Sequence, residues 1–456
     1  MPSSMTATPV SWAMESSRKG APDLGGEVAA CLARHLPDGG KVAVGYSGGL
    51  DSVVLLHALW ALRGQHPISL TAVHVHHGLS PQADAWADHC RAVCSGLEVA
   101  LGVFRVQVTP AGRGLEAAAR EARYGVFGEL DVDALAVAHH EDDQAETVLL
   151  QLRRGAGIRG LAAMPEARRL GEHTLLLRPL LGLTRSDLER YARDHGLAWV
   201  EDESNQDPSL ARNHVRHAVL PPLNAAIPGM SRSLAAAAHQ FAEWADLLDD
   251  LADSDRGTEP TDGPLDVGLL ARLPEPRARN LLRRVLEQRG VAVRRGALVE
   301  ATRQLREASP NAQVRVDFGE DCVLRFRGGV RVVPVSAFAP VPDLAASWRG
   351  EARMGLGPAG HLEFSPTGVA GRVLRANAVS VRHRRAGDRM RLRPGQLQRP
   401  LKDLLREAGI PPWQRPWLPV VEVDGQVAWV AGLGWAADMA SPQDGQGWAI
   451  SWVPPW

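Results

Sequence analysis

Lysine is nearly absent from this sequence. Only Lys19, Lys41 and Lys402 occur in 456 residues, and the remaining basic side chains are arginine. A Walker-type phosphate loop, which needs G-x-x-x-x-G-K-[ST], therefore has no lysine to build on; with the many alanines and glycines, the arginine excess reads as the mark of a GC-rich genome. Cysteine is also scarce. Cys31, Cys90, Cys94 and Cys322 are too few and too scattered for a secreted disulfide framework, which points to a reducing cytoplasm. No run of about 18 apolar residues exists, so no segment reads as a membrane-spanning helix. Residues 1–24, rich in Ser, Ala, Pro and Thr, lack the apolar stretch of a signal peptide and read as a disordered leader, with Met5 and Met14 as alternative starts. Excess charge of either sign is missing too: 51 basic against 52 acidic residues leave −1, which gives no global signature for nucleic acid and, taken alone, weighs against RNA. What remains is ordinary globular composition, 45% hydrophobic and 23% charged, at a length that suggests roughly three domains.

From Lys41 onward, short apolar runs alternate with longer amphipathic ones. Strands are expected over residues 42–46, 68–75, 103–108 and 134–138, with helices over 52–63, 82–97 and 115–130 and another starting near Glu141. This is the signature of parallel βαβ units and of an α/β doubly wound sheet, whose ligands sit beyond the carboxyl ends of the strands. The expected layout is a catalytic domain over 25–225, a helical middle domain over 226–335 closed by a hairpin near 314–333, a Pro- and Gly-containing connection with some strand over 336–371, and a small α+β C-terminal domain over 372–456.

The strongest local signal is Ser47-Gly48-Gly49-Leu50-Asp51-Ser52, directly after a buried strand and opening a helix. Glycines let backbone wrap around phosphate, hydroxyls and N–H groups donate to its oxygens, and the helix N-terminus favours the anion. A second constellation runs from Ala138 through His139, His140, Glu141, Asp142, Asp143, Gln144, Ala145 and Glu146 to Thr147. On a helix, His139 with Asp143 and Asp143 with Glu146 lie one turn apart, so one face offers imidazole and carboxylates to a metal ion, a primary amine, or both. The H-x-x-x-H pairing of a helical zinc site is absent. Arg153, Arg154 and Arg159 with Gly155, Gly157 and Gly160, joined by Arg178, suit contact with polyphosphate or RNA backbone. Arg212 and Arg216, spaced i,i+4 after the polar block Asp202 to Asp207, suit a grip on phosphate.

Taken in order, SGGLDS, HVHHGLS, LEAAAREARY, AHHEDDQAET, RRGAGIRGLAAM, RPLL, EDESNQD and RNHVR resemble the tRNA(Ile)-lysidine synthetase family of the PP-loop ATP pyrophosphatases. They cover about residues 40–225, and GDRMRL with the block from Leu401 to Gly434 resembles the family's C-terminal domain. The resemblance implies a two-step reaction: ATP adenylates the C2 oxygen of the wobble cytidine in a CAU anticodon, and an amino group of free L-lysine then displaces AMP. It implies ATP phosphates on Ser47, Gly48, Gly49, Leu50, Asp51 and Ser52, with His74 and Arg120 also on the nucleotide. It implies Mg²⁺ on Asp51 and Asp143, and His139, Asp143, Glu146 and Arg212 around the reacting groups. Arg153, Arg154, Arg159, Arg216, Arg384, Arg385, Arg389 and Lys402 are the tRNA contacts it suggests, and a homodimer the assembly. His76 stands where the family pattern has Asn or Asp, Ser80 where it has Arg, and Gly114-Leu115-Glu116 replaces a start containing Asn.

Two rivals share the phosphate loop. A PP-loop thiolase needs a reactive cysteine or an iron–sulfur cluster near it, whereas Cys90 and Cys94 sit among Ala and Val on a helix and read as core. A non-catalytic RNA-binding protein with a nucleotide-sensing loop would not need Asp51, Asp143 and Glu146 together. The charge near zero also divides unevenly. Residues 372–415 carry eleven Arg and one Lys against three acids, a local +9, so a basic C-terminal surface coexists with an acidic pocket upstream.

Overall fold

The computed structural model describes residues 23–109, 114–171, 173–201, 211–260, 263–309, 312–370, 379–439 and 446–455. The chain divides into two compact units, one ending at Leu247 and the other starting at Leu248. Of the expected leader, residues 1–22 lie outside the described residues. Leu24 already belongs to a helix, α1 (Leu24–His35), for which the sequence reading had no element. Its signal was present in the spacing of Leu24, Val28, Cys31 and Leu32, all buried on one face.

The first unit continues β1 (Gly40–Gly45), α2 (Leu50–Leu62), β2 (Ile68–His76), α3 (Ala83–Gly96), β3 (Ala100–Arg105), α4 (Leu115–Gly128), β4 (Ala134–Ala136), α5 (Glu141–Arg153), α6 (Ile158–Leu161), β5 (Ala167–Leu170), β6 (Thr174–Leu177) and α7 (Arg185–Asp194). The sheet order is β3-β2-β1-β4-β6-β5. β1 pairs in parallel with β2 and β4, and only the edge strand β5 runs antiparallel. Both faces are covered, which is why its strands read as nearly unbroken apolar runs. Val42 and Val44 point into a core built with α1, α2 and α7, while Ala43, Val73 and Leu135 point to the opposite face and meet Phe127 of α4. α2 is buried along most of its length, from Leu50 to Leu62. The doubly wound α/β expectation holds. The chain adds β2 and β3 on one side of β1, and β4 and β6 on the other, so the crevice at which ligands gather opens between the carboxyl ends of β1 and β4.

Past α7, the described chain resumes with helical segments Ala211–His214, a π-helical turn Val215–Val219 and Leu220–Ala226, followed by the long helix Met230–Arg256.

In the second unit the structure corrects two expectations. The helical middle is α+β: helices Val267–Arg272, Glu275–Gln288 and Arg295–Glu307 pack Leu281, Leu282, Val285 and Leu305 against Val323 and Val330 of a four-stranded antiparallel sheet. The hairpin expected near 314–333 is part of that sheet, and the long helix that leads into this unit runs to Arg256, with Asp253 paired to Arg284 at 2.8 Å. The connection over 336–371 also carries core. Trp348, Met354, Leu362 and Phe364 are buried with Val381, Val421, Val430, Leu401 and Leu405, and the strand His361–Ala370 pairs with Gln446–Val453. The strand expected there is present, but its alternating Leu362 and Phe364 belong to the core rather than to a connection.

Candidate functional site

The loop after β1 is shaped by its own hydroxyls. Ser52 Oγ accepts from the N–H groups of Ser47 and Gly48, both at 3.2 Å, donates to the Gly49 carbonyl at 2.9 Å, and lies 3.1 Å from Ser47 Oγ. Gly48 has φ +86°, and a Cβ there would stand 2.9 Å from Cys90 Sγ, so both backbone and space require glycine. Gly49 caps α2 without a side-chain acceptor, which leaves the first-turn N–H groups for an anion. His74 lies beneath the loop, its Nδ1 2.9 Å from the Tyr46 carbonyl, and so supports the cradle from the core side.

Asp51, in the first turn of α2, has a buried Oδ1 with no hydrogen-bond partner. Burial raises its carboxyl group above the usual range, helped by Asp143 and opposed by His140, Arg185 and Arg216. Across the crevice, α5 starts at Glu141, so His139 precedes the helix rather than sharing its face with Asp143 as expected. His140 takes the capping position, and its backbone N–H donates to Asp143 Oδ2 at 3.0 Å.

The His140 ring, 1% exposed, is the feature the sequence reading passed over in favour of His139. Its Nε2 lies 3.7 Å from Asp51 and 3.6 Å from Asp143, and its Nδ1 3.5 Å from Asp142. Burial alone would lower its pKa, but Asp143, Asp142 and Asp51 outweigh that and raise it. Asp142 in turn accepts from the Arg185 N–H at 2.8 Å.

Arg212 and Arg216 do share one side, as their spacing implied, and both turn towards α5. Arg212 reaches Glu146 and Asp143, each at 2.7 Å; Arg216 reaches Glu146 at 2.5 Å and Asp143 at 2.8 Å. Burial would raise the Asp143 carboxyl; His140, Arg212, His139 and Arg216 instead hold it well below the usual range. Burial pushes His139 down to about 3, so it is a neutral ring, and its Nδ1 is buried without a partner.

Magnesium favours oxygen ligands and keeps few protein carboxylates. The orphaned Asp51 Oδ1 fits that requirement. Both Asp143 oxygens already accept hydrogen bonds, Oδ1 from two guanidinium groups and Oδ2 from His140. The geometry therefore favours Asp51 over the Asp51/Asp143 pair of the sequence reading.

Residues 27–223 match the PP-loop domain family, residues 265–331 the TilS substrate binding domain and residues 379–452 the TilS substrate C-terminal domain. The tRNA(Ile)-lysidine synthase of Chromobacterium violaceum is 43% identical over 434 residues, covering 93% of this chain and 98% of that protein. That of Azoarcus sp. is 44% identical over 421 residues, covering 91% and 92%. The chain belongs to the tRNA(Ile)-lysidine synthase family.

Thiolation, the rival chemistry, is not favoured by this membership, and the cysteines agree. Burial pushes the Cys90 thiol up to about 12 and Cys94 up to about 11, far from the thiolate that a nucleophile requires. The other positions singled out for this lysidine synthase homologue are dispersed. Arg120 is exposed on α4 with its guanidinium 4.8 Å from the centre of the Tyr124 ring. Arg153 and Arg154 are exposed at the end of α5, and Arg159 on α6. His76, at the position departing from the family pattern, lies 3.3 Å from Asp84. The block Asp202 to Asp207 lies outside the described residues.

In the second unit, Arg385 and Lys402 are exposed, Arg389 donates to the Gln398 carbonyl at 2.7 Å, and Arg384 is half-buried. Not all of the basic segment is free surface. Arg382 is buried between Asp388 and Glu422, Arg391 pairs with Asp438, and Arg399 with Glu407. Acids beyond the counted segment thus absorb part of its charge.

Proposed function

We propose that the crevice between β1 and β4 is where this chain joins L-lysine to C2 of the wobble cytidine of a tRNA(Ile) with a CAU anticodon. As a family member the chain is an ATP-using ligase that forms lysidine. The observation that carries the site assignment is His140, whose ring lies within 3.7 Å of Asp51 in the phosphate loop and within 3.6 Å of Asp143 in the acidic helix. One buried imidazole thereby ties the nucleotide half of the crevice to the half that receives the amine.

In the first step the cytidine C2 oxygen attacks the α-phosphorus of ATP, an O–P bond forms, and the α–β bridge breaks to release pyrophosphate. Ser47, Gly48, Gly49, Leu50 and Ser52 hold the phosphates through backbone N–H groups and hydroxyls, placed where charge develops on the leaving group. Asp51 would hold Mg²⁺, which when bound neutralises phosphate charge. In the second step the lysine nitrogen attacks C2, and the C2–O bond breaks to release AMP.

The attacking amine must first lose a proton. Asp143 and Glu146 orient it, while Arg212 and Arg216, already on those carboxylates, repel an ammonium ion and so favour the neutral nucleophile. This is how an acidic pocket can receive lysine without trapping it in its unreactive form. The tRNA contacts at Arg153, Arg154, Arg159, Arg384, Arg385, Arg389 and Lys402, a homodimer and a cytoplasmic setting belong to the same reading.

The order of steps is tested with ATP labelled in its α-phosphate. With ATP, Mg²⁺ and tRNA(Ile) alone, label should accumulate on the tRNA, and added L-lysine should chase it into AMP. AMP released at the full rate without lysine would contradict the proposal.

A further inference from the structure

Beside His139 the structure gathers cations that the steps above do not use. Arg123 comes from α4. Arg178 follows β6 directly and is 3% exposed. Each buries its Nε without a hydrogen-bond partner, and neither forms an ion pair with a carboxylate among the described residues. Their surroundings add positive charge. Arg120, Arg123 and Arg168 stand 4.8, 5.8 and 5.5 Å from the centre of the Tyr124 ring. Burial would raise the Tyr124 phenol, yet Arg120, Arg123 and Arg178 hold it below its usual value.

Charged groups withdrawn from water normally find a counter-charge, because burial without one is costly. Arg178 has a structural bond, Nη1 to the Pro165 carbonyl at 2.6 Å, but that neutralises nothing. Burial and the neighbouring arginines depress both guanidinium groups below their usual value; the Tyr124 phenol, which also hydrogen-bonds Arg178, opposes them, and no carboxylate is prominent around either. The missing partner is therefore an anion brought by a ligand.

Location narrows which anion. His77, after β2, feels Arg123; His139, after β4, feels Arg123, Arg178 and Arg212 on one account and Asp143 on the other. Arg178 directly follows β6, which pairs in parallel with β4, the strand that leads to His139, and Arg123 meets Arg178 at the Tyr124 ring, so the cations border the strand-end crevice. The phosphates of ATP already have the loop after β1. The oxyanion left without a seat is the carboxylate of the amino acid.

We propose that Arg123 and Arg178 bind the carboxylate of the L-lysine substrate, with the amine end directed to Asp143 and Glu146. This inference rests on the functional reading above and adds the basis for choosing an amino acid over a plain amine. A bidentate guanidinium–carboxylate contact is among the strongest polar interactions available, and an amine lacking the carboxylate would leave both arginines uncompensated.

The test compares L-lysine with 1,5-diaminopentane, which keeps both amines and lacks the carboxylate, in the modification of tRNA(Ile) by the full chain. Wild type should prefer lysine by at least about 100-fold in kcat/KM, and Arg123→Met and Arg178→Met should each raise the lysine KM roughly 30-fold, the scale of one lost charge-assisted bond. The diamine KM and the ATP KM should change by no more than about twofold. Arg123→Met carries the test if Arg178→Met loses its Pro165 bond and fails to fold. Equal use of both amines by wild type, or equal losses for both in Arg123→Met, would overturn the proposal. A rise in the ATP KM instead would assign the arginines to a nucleotide phosphate and overturn it as well. Modification with neither amine would overturn the functional reading on which it stands.

Discussion

Arg212 and Glu146, 66 residues apart in sequence, meet through Nε and Oε2 at 2.7 Å. Glu146 is 1% exposed in its side chain and Arg212 27%, so the contact closes the crevice with a largely desolvated pair. Such pairs add little over a well-packed apolar substitute, but removing one partner strands the other. Glu146→Gln should therefore cost about 3 kcal/mol of stability, and Arg212→Met added to it should cost less than the two single changes summed. Urea unfolding of the four proteins gives the coupling; simple additivity would show that the contact is not formed in solution.

Acid should expose the Asp143 cluster. Its carboxyl is held below the usual range by His140, Arg212, His139 and Arg216 against the opposing effect of burial. A depressed folded pKa stabilises the fold fully above the unfolded value of about 3.9, and the gain is lost as pH falls below it towards the folded value. The stability difference between wild type and Asp143→Asn should therefore not narrow from neutral pH down to about 5, where it widens as His140, whose pKa Asp143 raises, takes up its proton, and should narrow only below about 4. A difference that narrows between pH 7 and 5 would contradict the assigned charge state.

Much of this site was legible in the sequence because it is built from short local motifs at strand ends. The SGGLDS run needs glycine at Gly48 and a hydroxyl at Ser52 for its own geometry, so composition and spacing reveal it. Arg212 and Arg216 were legible as a pair, but not as partners of Asp143 and Glu146, since nothing local records which side of α5 they meet. His140 was passed over for the same reason: its role comes from Asp51, on a different strand-to-helix turn. The expected connection before the C-terminal domain was misread because Trp348 and Phe364 stack in a core assembled from strands distant in sequence. Arg178 was grouped with Arg153, Arg154 and Arg159 as a contact for polyphosphate or RNA backbone, and its burial sets it apart from those exposed side chains.

Asp51→Ala removes the side chain whose Oδ1 is left for a cation. Turnover should fall at least about 100-fold, the scale seen when one preorganised charge-stabilising group is lost. Steady-state pyrophosphate release measures it, and near-wild-type rates would remove Asp51 from the mechanism.

Cys90→Ser should leave turnover within about threefold of wild type, because the thiol is buried under Gly48 and held protonated. Loss of activity with intact folding would revive the thiolase chemistry. Nucleoside analysis of the product would then show sulfur at the modified base.

The most direct measurement is the mass of the wobble nucleoside after incubation with ATP, Mg²⁺ and L-lysine. With tRNA(Ile) bearing CAU, cytidine should gain one lysine less one water, with one AMP released per modified base, and a methionine tRNA with the same anticodon should remain unmodified. Modification without lysine, or equal modification of the two tRNAs, would contradict the account.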